Sequence, residues 1–198
     1  MPKMQKVGRV VKGYTLIECL VATCIVGLLT SAAVPYFKDV VKKKDVNSLA
    51  NALHADLSHA RESAILRSSS ITVCASKDGK ACSSEDRAWS SGWMIYENSD
   101  ESASAPGPEK VLSYRAVNDR GVEVIESGGL STITYGNSGR IAPVPRLAVF
   151  NVSSPAEKLE TQCVVVSLIG KAEVKTSINA PALCKQYKAS VTIAGLNN

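Results

Sequence analysis

Histidines, cysteines and isolated acidic residues are the side chains of this sequence best suited to chemistry, and they are few. The 198-residue chain has two histidines, His54 and His59, and six cysteines. The histidines are five positions apart in a helical pattern and therefore lie on different faces, as ordinary surface or interface residues do. The sequence has no nucleotide-binding loop, zinc-protease helix or nucleophile elbow. We therefore expect a protein that is not an enzyme and that needs no cofactor.

One acidic residue, Glu18, interrupts the most apolar segment of the chain. The segment runs from Tyr14 to Phe37, about the length that a membrane helix needs, roughly 20 residues. Basic residues precede it and a long polar remainder follows, which orients the N-terminus to the cytoplasm and the body across the membrane. An ionised side chain inside such a segment costs about 2.5–3.5 kcal/mol on insertion scales and usually marks a function with a partner.

Two plainer interpretations of this segment remain open. A secretory signal peptide would combine the basic start and the apolar run with Ser31-Ala32-Ala33 as a small-residue cleavage site. Cleavage there would release a secreted, disulfide-bonded binding domain. A simple signal anchor would tolerate Glu18 close to the membrane edge.

The net charge of +5 is concentrated at the start of the chain. The first thirteen residues contain no acid and four bases: Lys3, Lys6, Arg9 and Lys12. The remaining 19 basic and 18 acidic residues almost balance. Nucleic-acid binding would therefore require a local basic patch, because the chain as a whole is not basic.

The cysteines fall into two groups. Cys19 and Cys24 lie about 140° apart on the apolar helix, which excludes a disulfide between them, and they resemble small apolar helix residues. The other four lie in the part expected outside the cytoplasm, where oxidation is permitted. They allow three pairings, and we expect Cys74 with Cys82, and Cys163 with Cys184. A zinc site is the alternative, but no C-x-x-C motif or nearby histidine supports a metal site.

The periodicity predicts an α+β fold with one long helix. Apolar residues spaced three or four apart continue the helix to about Arg67: Val46, Leu49, Leu53, Leu57, Ala60 and Ala64. Eight short β-rich runs follow, starting at residues 71, 93, 110, 122, 131, 146, 163 and 171. We predict that the helix packs on an antiparallel β-sandwich of two small sheets. The predicted segments are a leader over 1–13, a membrane helix over 14–37, an amphipathic continuation over 38–67 and a β-domain over 68–198, in which Asn98–Pro108 is an exposed loop.

The junction Gly13-Tyr14-Thr15-Leu16-Ile17-Glu18 resembles the type IV prepilins and the type II secretion pseudopilins. The resemblance implies that a prepilin peptidase cleaves between Gly13 and Tyr14 and that Tyr14 becomes N-methylated, although phenylalanine is commoner there. Glu18 matches the family glutamate, and its carboxylate would pair with the new amine of Tyr14 on a neighbouring subunit. Pro35, which loosens the preceding helical turn, also has a family counterpart.

The body resembles the FimT/GspH branch of minor pilins. The motifs that carry this resemblance are Ala60-Arg61-Glu62-Ser63-Ala64, the strand with Cys74 and the nearby Cys82, and Trp89-Ser90-Ser91-Gly92-Trp93. The resemblance implies a subunit that initiates or primes pilus assembly, with a type II secretion pseudopilin as the alternative. Its partners would be major and minor pilins or pseudopilins, the prepilin peptidase and the inner-membrane assembly platform. It would be a single-pass protein of the bacterial inner membrane with a periplasmic body, and later part of a pilus or pseudopilus.

Some FimT-like proteins bind DNA in natural transformation through a Gly-Arg-x-Arg element, and the corresponding residues here are Gly170-Lys171-Ala172-Glu173. Lysine offers phosphate only a point charge, and glutamate repels it. Further candidate DNA contacts are Arg140, Arg146, Lys175, Lys185 and Lys188. Acidic residues are interspersed among them, namely Glu157, Glu160 and Glu173. This mixture favours a solvated surface over a DNA groove.

Overall fold

The computed structural model describes residues 13–83, 85, 88–98, 110–117, 121–142, 147–154, 161–179 and 184, without the side chains of residues 32–39. The chain forms two compact units, Met1–Val40 and Val41–Asn198. The predicted leader over 1–13 lies outside the described residues except for Gly13.

One long helix, α1, covers Leu16–Arg67. It begins two residues later than predicted because Thr15 caps it: the Glu18 N–H lies 3.3 Å from the Thr15 hydroxyl and 3.1 Å from its carbonyl oxygen. The helix ends where Ser68 adopts a left-handed φ of 52°. There the Ser69 N–H bonds to the Ala64 carbonyl, a contact typical of helix C-termini.

The α1 residues of the first unit present an apolar surface. Its large aliphatic side chains are more than half exposed: Leu16, Ile17, Leu20, Val21, Ile25, Val26, Leu28 and Leu29. The hydroxyls of Thr23, Thr30 and Ser31 donate to backbone carbonyls of the preceding turn at 2.8–3.0 Å. Within the described part of the chain, no helix is both long and apolar enough to cross a membrane. The predicted membrane segment over 14–37 is therefore not confirmed.

The second unit contains two antiparallel sheets. The described strands are β1 Ile71–Ala75, β2 Gly92–Glu97, β3 Val111–Ala116, β4 Glu123–Glu126, β5 Thr132–Tyr135, β6 Ile141–Ala142, β7 Ala148–Ser153, β8 Gln162–Val166 and β9 Ala172–Thr176. The first sheet has the order β3-β2-β1-β5-β6 and the second has the order β4-β7-β8-β9. A short 3-10 helix, Ala88–Ser91, leads into β2. The α+β architecture and all eight predicted strands are confirmed, and β6 is an additional strand.

The core of this unit lies between the helix and both sheets. The helix contributes a fully buried stripe that includes Val46, Leu53 and Leu57, and it joins one apolar cluster with strands of both sheets. Leu49 of the predicted stripe is only partly buried, and Ala50 is buried beside it. Burying one helix face in this way is what holds such a helix on a domain, since each buried aliphatic side chain contributes about 1.5–3 kcal/mol.

The prediction that Asn98–Pro108 is exposed is wrong at its first residue. Asn98 is buried because its backbone N–H bonds to the Ser70 carbonyl at 2.8 Å and its side-chain amide reaches Thr72. These bonds extend the end of β2 alongside the start of β1. The rest of the predicted loop lies outside the described residues.

Candidate functional site

The start of α1 places one carboxylate on an apolar helix face. Glu18 lies in the first helical turn. The side chains of Ile17, Val21, Ala22 and Ile25 form a shallow apolar surface together with it. Val21, Ala22 and Ile25 follow Glu18 by three, four and seven residues, which puts them on adjoining positions of the helix surface. The result is an acidic group bordered by aliphatic side chains.

Glu18 is free to receive a cation from outside this unit. Its backbone N–H is used by the Thr15 cap, and a carboxylate in the first turn is favoured by the helix dipole. Among the described residues, none donates a hydrogen bond to the Glu18 carboxylate or forms an ion pair with it. Gly13 and Tyr14 precede the cap, and Tyr14 is 83% exposed, so the backbone between them is accessible.

Pro35 lies within α1, which continues through it to Arg67. Proline has no N–H to donate within the helix. The side chain of Pro35 is outside the described residues, and its predicted role in filament assembly stays a prediction.

Both expected disulfides are present. Cys74 pairs with Cys82 across a separation of 8 residues, and Cys163 pairs with Cys184 across 21. The second disulfide links Cys184 of the C-terminal segment to Cys163 of strand β8. Both cysteines pack with Val149 and Val165. Cys19 and Cys24 are free and exposed.

The loop closed by the first disulfide is further ordered by a turn at Asp78. Its carboxylate accepts the Lys80 backbone N–H at 2.9 Å, and this bond holds the pKa of Asp78 below its usual range. The Tyr114 hydroxyl of the edge strand β3 donates to the Lys77 carbonyl at 2.6 Å. The loop is therefore a fixed feature of the surface.

Two candidate DNA-binding lysines form ion pairs with Glu173, the residue that departs from the family element. The Glu173 carboxylate binds Lys175 at 2.8 Å and Lys171 at 2.9 Å. Glu173 and Lys175 lie on alternate positions of β9 and so share one face, and Lys171 immediately precedes the strand. The hydrogen bonds from Lys175 and Lys171 lower the pKa of Glu173 to about 2. A phosphate would have to compete with a carboxylate that is ionised at every physiological pH.

Arg140 lies beside a close contact between the two sheets. It follows Gly139 in the β5–β6 turn, and Lys171 follows Gly170 in the β8–β9 turn. The two glycines touch so closely that a Cβ on Gly170, which has φ +80°, would overlap the Gly139 carbonyl oxygen. The same oxygen accepts the Nε–H of Arg61 from α1 at 2.9 Å. The structure thus brings Arg140 and Lys171 to one end of the unit, whereas Arg146, Lys185 and Lys188 lie outside the described residues.

Sequence reasoning missed a cluster that joins the helix to the first sheet. Asp56 of α1 accepts the indole N–H of Trp93 at 2.8 Å and two guanidinium N–H groups of Arg115 at 2.5 and 3.0 Å. The hydrogen bond to Asp56 raises the pKa of Arg115. The only signal in the sequence is a carboxylate next to the buried stripe of the helix.

The histidines and acidic groups do not converge on a metal-binding geometry in the described chain. His54 is half-buried and His59 is exposed on α1. No group of three or more histidine, cysteine or carboxylate side chains among the described residues could hold a metal ion.

Comparison with solved structures identifies the fold. Two crystal structures of the type IV minor pilin FimU of Pseudomonas aeruginosa match with TM-scores of 0.53 and 0.56. They are 22% and 21% identical to the chain and cover 70% and 73% of it, while the chain covers 98% of each. The minor pseudopilin EpsH of the Vibrio cholerae type 2 secretion system matches with a TM-score of 0.45 and 12% identity, over 67% of this chain and 95% of that one. A search of curated protein sequences found no match.

A family model for the type II transport protein GspH matches residues 49–170. This match covers more than half of the chain. It runs from the amphipathic part of α1, through the first sheet and strands β4, β7 and β8 of the second, to the β8–β9 turn. The chain therefore belongs to the GspH family and has the fold of a type IV minor pilin.

Proposed function

We propose that this chain is a minor subunit of a type IV pilus-like filament. A prepilin peptidase cleaves the precursor between Gly13 and Tyr14, Tyr14 is N-methylated, and the chain is held in the inner membrane by its apolar helix until it is assembled. Its role is to initiate or prime assembly together with other pilins and the assembly platform. In this role the chain is a structural subunit and not an enzyme.

The observation that carries this proposal is the surface around Glu18. Aliphatic side chains that are more than half exposed need a cover of lipid or protein. A carboxylate among them needs a cation, because an uncompensated charge in apolar surroundings is costly. The amine created at Tyr14 of a neighbouring subunit supplies that cation, and the same helices supply the apolar cover.

The test of processing is mass spectrometry of the mature chain. We expect an N-terminus at N-methylated Tyr14. A mature N-terminus near Val34 would refute the proposal and indicate a secreted domain. An uncleaved leader would also refute it and indicate a simple signal anchor. Gly13→Ala should abolish cleavage and leave the precursor in the membrane.

The role of Glu18 is tested by filament incorporation. Glu18→Leu and Glu18→Gln should leave membrane insertion intact and reduce incorporation, because both remove the charge. Glu18→Asp keeps the charge and should retain more incorporation than either. Equal incorporation of all three variants would contradict the pairing with the Tyr14 amine.

A type II secretion pseudopilin is the second candidate, and the family match to a type II transport protein supports it. Deletion of the chain separates the two filaments. Loss of exported enzymes with normal pili would indicate a secretion filament, whereas loss of pili with normal secretion would indicate a pilus.

DNA uptake is a third role within the same filament class. The Lys171–Glu173–Lys175 cluster argues against DNA binding, because the Glu173 carboxylate forms ion pairs with both lysines. The direct measurement is DNA binding by the unit 41–198 across a salt series. Affinity that falls steeply with salt and weakens in Lys171→Ala with Lys175→Ala would support DNA contact.

A further inference from the structure

One end of the second unit exposes a cluster of aliphatic side chains without aromatic residues. We define it as the end patch, composed of Ile65 of α1, Leu147 before β7, and Leu168 and Ile169 in the β8–β9 turn. Their exposed fractions are 45%, 45%, 54% and 53%. Leu147 precedes Ala148, which pairs with Val166, so it lies opposite Ser167 at the base of that turn. Exposed aliphatic groups collected in one place usually mark an interaction surface.

The backbone under the end patch is fixed from three directions. Ile65 packs against Gly139, where a Cβ would lie 2.7 Å from its terminal methyl group. The β8–β9 turn is closed by bonds of 2.8 Å from the Gly170 N–H to the Ser167 carbonyl and 2.9 Å from the Ser167 N–H to the Lys171 carbonyl. Because this turn also touches Gly139, the patch is presented in one geometry. A preformed surface loses little conformational entropy when it binds a partner.

The charged groups beside the end patch are mainly basic. Arg61 and Arg140 lie at the Gly139 contact, while Lys171 is already paired with Glu173. Glu62 of α1 is also exposed, and it lies three residues before Ile65, on an adjoining position of the helix surface. At the end of the helix, Arg67 is paired with Glu97 at 3.6 Å. Two arginines and one glutamate therefore border the patch, which leaves a net positive charge that complements carboxylates.

We propose that the end patch docks the globular body of a neighbouring filament subunit, through a surface of aliphatic side chains bordered by aspartate or glutamate. This inference rests on the proposed function, which supplies a protein neighbour. A single-stranded nucleic acid would use aromatic stacking platforms, and a membrane surface would favour tryptophan or tyrosine. The four described residues of the end patch are all aliphatic, which favours a protein with complementary charge as the occupant.

The test is site-specific photo-cross-linking in cells that assemble the filament. A benzoylphenylalanine probe replaces Ile169, and the captured protein is identified by mass spectrometry. We expect a pilin or pseudopilin, cross-linked next to aspartate or glutamate residues. Arg140→Glu should reduce the yield about tenfold, in the range of interface hot spots, and replacing the partner's nearest carboxylate by lysine should restore it.

Matched controls come from the same unit. The same probe is placed at Ile178, which is 67% exposed and follows the other end of β9. It should not give the cross-linked product that the probe at position 169 gives. Lys80→Glu, an equal charge reversal in the loop closed by Cys74 and Cys82, should leave the yield from position 169 unchanged.

The outcomes separate this inference from the proposed function. If the chain starts at Tyr14 and enters filaments, yet the probe at 169 captures no subunit, docking by the end patch is refuted and the proposed function stands. Capture that is insensitive to Arg140→Glu, or capture of nucleic acid or lipid alone, also refutes it. If the chain is neither cleaved at Tyr14 nor incorporated, the proposed function itself fails.

Discussion

Replacing Asp56 with alanine should loosen the attachment of α1 to the first sheet. Asp56 is the single acceptor for the Trp93 indole and for two guanidinium N–H groups of Arg115. Its side chain is 16% exposed, and Trp93 is buried.

The expected loss follows from the three bonds. A buried indole N–H without an acceptor costs about 1–3 kcal/mol. The Arg115 side chain is 46% exposed, so solvent limits the ion pair to about 0.5–1 kcal/mol. Asp56→Ala should therefore destabilise the unit by about 1.5–4 kcal/mol. Asp56→Asn keeps an acceptor for Trp93 and should cost about 1 kcal/mol.

Urea unfolding of the oxidised unit 41–198 at neutral pH measures both variants. Lys77→Ala is the matched control, because its ion pair with Glu85 is more than half exposed on both sides, and it should cost less than about 0.5 kcal/mol. A double-mutant cycle with Arg115→Ala isolates the ion pair. If Asp56→Ala proves no more destabilising than Asp56→Asn, the indole bond does not contribute as argued.

Three further outcomes are expected. Gly170→Ala adds a Cβ that overlaps the facing turn at a residue with φ +80°, and it should lower the free energy of unfolding by at least about 3 kcal/mol in thermal unfolding. Gly129→Ala, with φ +72° in open space, should lower it by about 1–2 kcal/mol. Equal losses would contradict the close contact. Replacing Cys163 and Cys184 together by serine opens a loop of 21 residues and should cost about 3 kcal/mol in urea unfolding, while an unchanged midpoint would count against it. Glu173 has a folded pKa of about 2 against an ordinary 4.5, so its ion pairs stabilise the fold above about pH 4.5 and are lost as the pH falls through about 2; a carboxyl NMR titration with an ordinary midpoint would disprove this.

The fold was readable from the sequence where one physical signal dominated. The apolar stripe from Val46 to Ala64 repeats every 3.6 residues, and nearly all of its residues are buried. The strands were readable because short β-rich runs alternate with turn residues. Strand β6 was missed because its two residues, Ile141 and Ala142, are too short to show any period, and Asn98 was misjudged because hydrogen bonds to Ser70 and Thr72 outweigh its loop composition.

The candidate site was readable only in part. Glu18 is conspicuous because a charge in an apolar run is rare, whereas the cysteine spacing allowed three pairings and did not choose among them. The cluster of Asp56, Trp93 and Arg115 joins residues that are 37 and 59 positions apart, and no local pattern connects them. The end patch likewise depends on two turns meeting at Gly139, which only the packing of the two sheets determines.

The choice between an assembly role and a DNA-binding role turns on one position of strand β9. The fold is shared with a minor pilin, but a fold does not specify function, which depends on the groups placed on it. At position 173 the strand carries a carboxylate between Lys171 and Lys175, and both cations are bound to it. Glu173→Gln should release both lysines and raise the affinity of unit 41–198 for short duplex DNA at low salt, with a steeper salt dependence than the native unit shows. If the native unit already binds DNA as tightly as the variant, the carboxylate does not block phosphate contact, and the argument for an assembly role loses its electrostatic support.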